Sequence, residues 1–299
     1  MNCLIIYNPT SGKGKIQKNL QKIIKMLKKK YDEVEVHPII PPEKASQVAE
    51  ENINKYDTYI VAGGDGTLNE VINGIAEKDN APTIGYIPCG TTNDVARSLS
   101  IPRNIKRAIK VILKGKIFNH DIFKVNDRYA IYVCTTGLGC EASYETKQKA
   151  KRFFGRLAYF VYGAKKIFKT EPLNLKISYF DEKLVTNTLR CSLLLILNSR
   201  SVAGFKVNKK AVLDDGYIDV VMIFNKSKKL NFFSIFTLCK LFLFGLDYTK
   251  KSKFLVYYKL KEFNIDIENA RDINLDGELG LNESFKVKMI EKGVKIYIP

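Results

Sequence analysis

Histidine is nearly absent from this 299-residue chain, with His37 and His120 the only two. Imidazole-based metal ligation and a Ser-His-Asp triad are therefore poorly supplied. The six cysteines (Cys3, Cys89, Cys134, Cys140, Cys191 and Cys239) include no Cys-x-x-Cys pair and stand in apolar or Gly-rich surroundings. That spacing argues against a zinc site and a disulfide frame, and favours a reducing, cytosolic compartment. Long apolar runs are missing too. The best, around Phe232–Phe244, is interrupted by Ser, Thr and Lys and falls short of the roughly 20 residues a membrane-spanning helix needs. The opening MNCLIIYNPTSGKGK has no basic region before its apolar stretch and no small-residue cleavage site, so no signal peptide is expected. Internal repeats and low-complexity linkers are also lacking. Acidic residues are few, 31 against 49 Lys and Arg, which leaves a net charge of +18. Such a surplus suits an acidic partner: nucleic acid, nucleotide phosphate or an anionic membrane surface. With 45% hydrophobic and 27% charged residues the composition is globular rather than disordered, and the length favours two domains.

The first 120 residues alternate strand and helix. Residues 4–7 form a short continuous apolar run, as expected of a strand buried on both faces. After NPTSGKG, Ile16, Leu20, Ile23, Ile24 and Leu27 recur with a helical period, and Lys18, Lys22, Lys25, Lys28 and Lys29 fall largely opposite. We read those lysines as a solvated face. Strands are expected at 34–40, 58–62 and 83–87, and helices at 45–54, 68–75 and 95–99. This order implies a mostly parallel sheet with helices on both faces, and such sheets bind ligands beyond the carboxyl ends of their strands. Three Gly- and hydroxyl-rich loops occupy those ends in turn: NPTSGKG, GGDGT and GTTND. From about Asp121 the pattern changes to short β-type runs at 129–134, 173–179, 193–197, 217–223, 254–260 and 263–267, interrupted by helical stretches at 153–168 and 230–244. Asp215-Gly216 and Asp276-Gly277 supply turn signals. The fold class expected is α/β plus all-β: an N-terminal doubly wound, mostly parallel, three-layer nucleotide-binding domain and a C-terminal antiparallel β-sandwich-like domain.

Each loop admits a chemical and a structural reading. NPTSGKG offers the Thr10 and Ser11 hydroxyls, two glycines and backbone amides at a helix start, which suits an anion. It lacks the Walker A spacing, and an ordinary helix cap explains it equally well. In GGDGT the glycines allow close backbone approach and Thr67 can cap the helix. Asp65 places a carboxylate where phosphates would sit. Like charges repel, so a divalent cation must intervene or Asp65 must face a hydroxyl; a bare turn residue is the alternative. GTTND adds Thr91, Thr92 and Asn93 as neutral donors and Asp94 as a second acid, with helix capping again as the plain alternative. Asp276-Gly277-Glu278 reads first as a hairpin turn, and beyond that as a carboxylate able to accept a proton from a substrate hydroxyl. Asp214-Asp215-Gly216 either binds a cation or turns the chain.

Together, GGDGTLNEVINGI, NPTSG, GTTND, LDDGYID and DGE resemble the diacylglycerol-kinase catalytic-domain family, and within it the soluble bacterial lipid kinases of the superfamily shared with NAD kinases. The motifs occur in family order over nearly the whole chain. The resemblance implies an ATP- and Mg²⁺-dependent lipid kinase, with diacylglycerol the expected acceptor and phosphatidic acid the product. It places the nucleotide in a cleft between the domains, against Asn8, Pro9, Thr10, Ser11, Gly12, Gly63, Gly64, Asp65, Gly66, Thr67, Leu68, Asn69, Glu70 and Thr91. It makes Glu278 the general base, and Asp65, Asp94, Asp121 and Asp276 an acidic network holding catalytic magnesium and water. A structural magnesium would sit on the Asp215 carboxylate and the carbonyls of Val212 and Tyr217. The C-terminal segment, 285–299, would return to a first domain of residues 1–120, leaving 121–284 as the lipid-binding domain, and a homodimer is compatible. One departure stands out: related enzymes often carry a threonine after the second strand, where this chain has His37-Pro38-Ile39-Ile40-Pro41-Pro42.

A lipid kinase must reach a bilayer without spanning it, so peripheral association with an anionic phospholipid surface at the inner membrane face is expected. Residues 230–244 are one candidate contact, flanked by Lys226, Lys228, Lys229, Lys250, Lys251 and Lys253, although we read the stretch first as a core helix. Lys147, Lys149, Lys151, Arg152 and Arg156 form another. NAD kinase and another lipid acceptor (a sphingoid base, ceramide or phosphatidylglycerol) are the nearest alternatives. Nucleic acid is not an expected partner, because acidic motifs line the apparent site.

Overall fold

Leu4, Ile5, Ile6 and Tyr7 have no polar neighbour to turn toward water, so the strand they form must be covered on both faces. In the computed structural model it is. The structure describes residues 1–137, 172–225, 232–248, 252–268, 272–279 and 284–299. The expected helix at 153–168 and the basic cluster Lys147–Arg156 lie outside them.

The chain divides into two units. The first comprises Met1–Ile122, Leu213–Asp215 and Ile290–Pro299. Its strands β1 (Asn2–Tyr7), β2 (Glu33–Pro38), β3 (Thr58–Gly63) and β4 (Thr83–Pro88) are parallel, with β1 between β2 and β3, and β4 beyond β3. β3 is buried throughout and β1 and β4 nearly so, as strands covered by helices on both faces must be, whereas β2 at the edge stays partly exposed. Helices α1 (Lys15–Leu27), α2 (Ala45–Glu51), α3 (Asp65–Ile75), α4 (Asp94–Ser98) and α5 (Ile105–Lys114) connect them. The helix α5 is not among those expected from the apolar periodicity. Its signals were Asn104, whose side chain accepts from the Arg107 amide at 3.1 Å, and Gly115, which ends the helix at φ 75°. The end of the chain returns here, with Ile296 paired in parallel to Ile84. Because the chain leaves β1 for β2 and then crosses to β3 on the other side, β1 and β3 form a topological switch point, and their carboxyl-end loops lie side by side.

The second unit, Phe123–Val212 with Gly216–Met289, is antiparallel. The strand β5 (Ile117–Val125) runs into it from the first unit, and β6 (Arg128–Ala130), β7 (Val133–Gly137), β8 (Leu173–Asp181) and β9 (Lys183–Leu197) follow. The remaining strands are β10 (Ile218–Phe224), β11 (Leu255–Leu260), β12 (Glu262–Ile267), β13 (Ile273–Leu275), β14 (Glu278–Leu279) and the start of β15 (Phe285–Tyr297), which from Ile290 belongs to the first unit. The polar first half of β9 pairs with β8, while its apolar second half lies between β7 and β10, so one strand passes from one ladder to the next. Leu175, Ile177, Leu194, Ile196, Val220, Phe263 and Ile265 meet in its core. The architecture is the α/β plus antiparallel β class expected from the strand patterns. The helix α6 (Phe232–Phe244) is not a core helix throughout: Ser234 and Leu241 are buried, but Phe233, Phe236, Leu243 and Phe244 are exposed.

Candidate nucleotide site and catalytic carboxylates

The loop after β1 is shaped by Asn8. Its side-chain oxygen accepts from the Thr10 amide at 2.9 Å and the Thr10 hydroxyl at 2.7 Å, closing an Asx turn. Gly12, Lys13 and Gly14 then adopt left-handed backbone in succession (φ 59°, 61° and 71°). A Cβ on Gly12 would stand 2.9 Å from the Cys89 carbonyl oxygen, so this loop backs directly onto the one after β4. The loop after β3 approaches it as closely: a Cβ on Gly90 would lie 2.6 Å from the Gly64 Cα. Bare backbone thus brings all three loops into contact. Two arginines fix the third. Arg103 donates to the Gly90 and Thr91 carbonyls at 3.1 and 3.2 Å, and Arg97 to the Thr92 carbonyl at 2.9 Å. Asn93 donates to the Gly90 carbonyl at 2.9 Å. Its buried Oδ1 has no hydrogen-bond partner among the described residues.

Asp65 opens α3 and reaches across to cap α4. Its carboxylate accepts from the Asp94 amide at 2.9 Å and the Val95 amide at 3.3 Å, with the Thr92 hydroxyl at 3.4 Å. Backbone amides at a helix start favour a negative charge. Burial and, next, the nearby Asp94 carboxylate outweigh them, and push the Asp65 carboxyl up to about 6. Asp121, on β5, accepts from the Lys292 amide at 2.6 Å and donates its own amide to the Leu213 carbonyl at 3.0 Å. It thereby ties the returning segment and the 213–215 turn to one strand. No group of three or more His, Cys, Asp or Glu gathers as a metal site among the described residues. At the Asp214-Asp215-Gly216 turn, Gly216 takes a left-handed φ of 73°.

Beside loop one a pocket of about 510 Å³ opens. Asn8, Pro9, Thr10, Thr67 and Glu70 line it, and the sequence had pointed to these. Tyr7, Gln17, Pro38, Ile39, Ile40, Pro41 and Glu43 line it as well, and it had not. Glu43 is held by His37 at 3.0 Å. Glu70 accepts from the Ala45 amide at 2.9 Å and so also caps α2. The side chains of Leu68 and Asn69 are buried in α3, which leaves only their main chain to meet a ligand.

In the second unit, Asp276 and Gly277 form the two-residue turn that joins β13 to β14, with positive φ at both positions (51° and 93°) as such hairpins require. Asp276 is more than a turn residue. Its carboxylate accepts three main-chain amides, from Ile131 at 2.6 Å, Tyr132 at 3.0 Å and Val133 at 2.8 Å. It locks the hairpin to the segment entering β7. Two residues on, Glu278 stays about half exposed, its carboxylate 3.8 Å from the Arg128 guanidinium.

Residues 2–125 match the diacylglycerol kinase catalytic domain family. A diacylglycerol kinase of Staphylococcus saprophyticus is 35% identical over 297 residues, 99% of this chain and 94% of its own length. The chain belongs to the diacylglycerol kinase family. A diacylglycerol kinase of Staphylococcus aureus strain RF122 is 36% identical over 99% of this chain and 91% of its own. Among solved structures, a diacylglycerol kinase from Bacillus anthracis strain Sterne superposes with a TM-score of 0.78 at 22% identity, covering all of this chain and 97% of that one. A second structure from that strain gives 0.81 at 26% identity, with 100% and 95% covered. As a member of this family the protein is a lipid kinase that uses ATP. The sequence reading missed Arg97 and Arg103 in this kinase, because a basic side chain that holds a loop through carbonyls has no spacing signature.

Proposed function

We propose that this kinase transfers the γ-phosphoryl group of ATP to the free hydroxyl of diacylglycerol, giving phosphatidic acid, while associated peripherally with the inner membrane face. The observation that carries the reading is the contact of three glycine-containing loops at one sheet rim, where bare backbone at Gly12, Gly64 and Gly90 lets the loops meet and main-chain amides at helix starts suit phosphate oxygens. The pocket beside them supports it: Pro38–Pro41 present an apolar wall to a planar base, while Asn8, Thr10 and Gln17 supply polar atoms.

In phosphoryl transfer the protein's task is to position groups and neutralise charge. The residues present fit magnesium. Asp65 and Asp94 are both buried oxygen donors; burial and, next, the Asp94 charge raise the Asp65 carboxyl, and a hard divalent cation between them would offset both. When bound, Mg²⁺ would supply charge neutralisation on the phosphates. The Asp215 turn is the proposed second position. Asp276 stiffens the hairpin that carries Glu278, and Glu278 takes the proton from the lipid hydroxyl. That role requires it within roughly 2.6–3.2 Å of the acceptor oxygen, or one water away.

Incubation with labelled ATP and Mg²⁺ against diacylglycerol, a sphingoid base, ceramide, phosphatidylglycerol and NAD⁺ tests the reading. Labelled phosphatidic acid is expected. Labelled NADP⁺ in its place would overturn it. No described helix is long and apolar enough to cross a membrane.

A further inference from the structure

The pocket beside the loop after β1 runs against the charge of the chain. Lys and Arg number 49 against 31 Asp and Glu, yet no Lys or Arg lines this cavity of about 510 Å³, whereas two carboxylates, Glu43 and Glu70, do. A cation-free cavity holding carboxylates repels phosphate and suits the part of a ligand that is uncharged and offers hydrogen-bond donors. In a nucleoside triphosphate that part is the nucleoside, whose sugar carries two adjacent hydroxyls. Position agrees. Thr67 and Glu70, three residues apart on one face of α3, both line the pocket. Glu70 stands roughly 7–8 Å along the helix axis from Asp65 at the glycine rim. The cavity therefore extends behind the rim, at the depth of a sugar and base when phosphates occupy the loops.

Of the two carboxylates, Glu70 is already engaged by the Ala45 amide at 2.9 Å. Glu43 is the more open acceptor. His37 Nε2 lies 3.0 Å from each of its oxygens, so one ring nitrogen bridges both and leaves most of the roughly four lone-pair sites of the carboxylate unfilled. Side-chain exposures of 38% for His37 and 36% for Glu43 keep those sites within reach of a ligand. The Glu43 amide donates to the Ile40 carbonyl at 3.1 Å. That turn sets the carboxylate in the same cavity as the Pro38–Pro41 wall.

We propose that Glu43, positioned by His37, accepts a hydrogen bond from the ribose 2′-hydroxyl of the phosphoryl donor and makes this kinase selective for ribonucleoside over 2′-deoxyribonucleoside triphosphates. This role rests on the reading of the pocket as the nucleoside site. An acidic side chain on a ribose hydroxyl is a recurrent solution in nucleotide sites. A site built to bind a hydroxyl rejects the analogue that lacks it, because its acceptor is then left unpaired. The same carboxylate repels a 2′-phosphate.

Calorimetric titration of the full-length protein with ATP, 2′-deoxy-ATP and GTP in the presence of Mg²⁺ tests the role without catalysis. The wild type should bind ATP about 10–100-fold more tightly than 2′-deoxy-ATP, the range of one charge-assisted hydrogen bond. In E43A the ratio should fall below about 3-fold, with the melting temperature unchanged. E51A removes an exposed acid at the end of α2, outside the pocket, and should keep the wild-type ratio. H37A should lower the ratio, and H37Q, whose amide nitrogen replaces Nε2 as donor, should restore it. Equal binding of ATP and 2′-deoxy-ATP by the wild type would overturn the proposal, as would a wild-type ratio in E43A. A change in E43A confined to the ratio of ATP to GTP would assign Glu43 to the base and overturn it too. The two readings fail separately. Discrimination that depends on Glu43 in a protein that labels no diacylglycerol leaves the ribose contact standing and removes the lipid-kinase function. Labelled phosphatidic acid formed equally well from ATP and 2′-deoxy-ATP removes only the ribose contact, and absence of nucleotide binding removes both.

Discussion

Replacing Asp65 with asparagine separates what this side chain does for catalysis from what it does for stability, and the structure sets opposite signs for the two. In the folded state burial and Asp94 raise its carboxyl from 3.8 to about 6. A carboxyl whose pKa is higher folded than unfolded stabilises the fold most when protonated, and that contribution is lost as pH rises through the folded value. The shift of about two units corresponds to about 3 kcal/mol, withdrawn between about pH 4 and pH 6. D65N never ionises and escapes that loss, but it gives up one acceptor for the Asp94 and Val95 amides, worth about 1 kcal/mol. Urea unfolding should therefore find D65N about 1 kcal/mol less stable than wild type at pH 4 and about 2 kcal/mol more stable at pH 8, so the two stability curves cross. Kinase activity should meanwhile fall by about 10²-fold or more, as expected for loss of a charged group at the site of phosphoryl transfer. Parallel stability curves from pH 4 to 8 would refute the assignment of the raised carboxyl, and wild-type activity in D65N would refute its catalytic part.

Other changes read different links of the argument. E278Q alters a half-exposed side chain whose ion pair spans 3.8 Å; kcat should fall about 10²–10⁴-fold with the KM for ATP and the melting temperature unchanged, and full activity would remove Glu278 from the base role. D276A strips the acceptor from three amides, so calorimetry should show a loss of about 3 kcal/mol or more. A loss below 1 kcal/mol would mean that the hairpin anchor matters little. G90A forces a Cβ to within 2.6 Å of the Gly64 Cα; parting the two loops should cost about 1–3 kcal/mol and raise the KM for ATP, and kinetics identical to wild type would show that the loop contact is dispensable. If ionised Asp65 is the active form, kcat/KM should decline on the acid side with an apparent pKa near 6; a rate flat from pH 5 to 8 would contradict it.

Local chemistry made much of this protein legible. Continuous apolar runs specified β1, β3 and β4, because a parallel strand roofed by helices on both faces has no side for polar residues. Loops rich in glycine marked the rim, since only a residue without Cβ lets backbone approach backbone as Gly64 and Gly90 do. The Asp276-Gly277 pair marked its hairpin because both positions need positive φ. The first half of β9 was silent: a strand exposed along one ladder carries polar residues and shows no apolar run.

What only tertiary structure decided is which distant groups share a charge or a contact. Sequence identified Asp65 and Asp94 as acids at a rim, yet their separation of 29 positions gave no sign that one carboxylate caps the other's helix. Nor could it show that burial would hold Asp65 near 6, because desolvation depends on what packs around a group rather than on its neighbours in the chain. Lysines along α1 likewise carry no information about what faces them. The packing of α5 set one of them, Lys22, in a groove with Arg103 and Lys106, since a concave surface exists only between elements that the fold brings together.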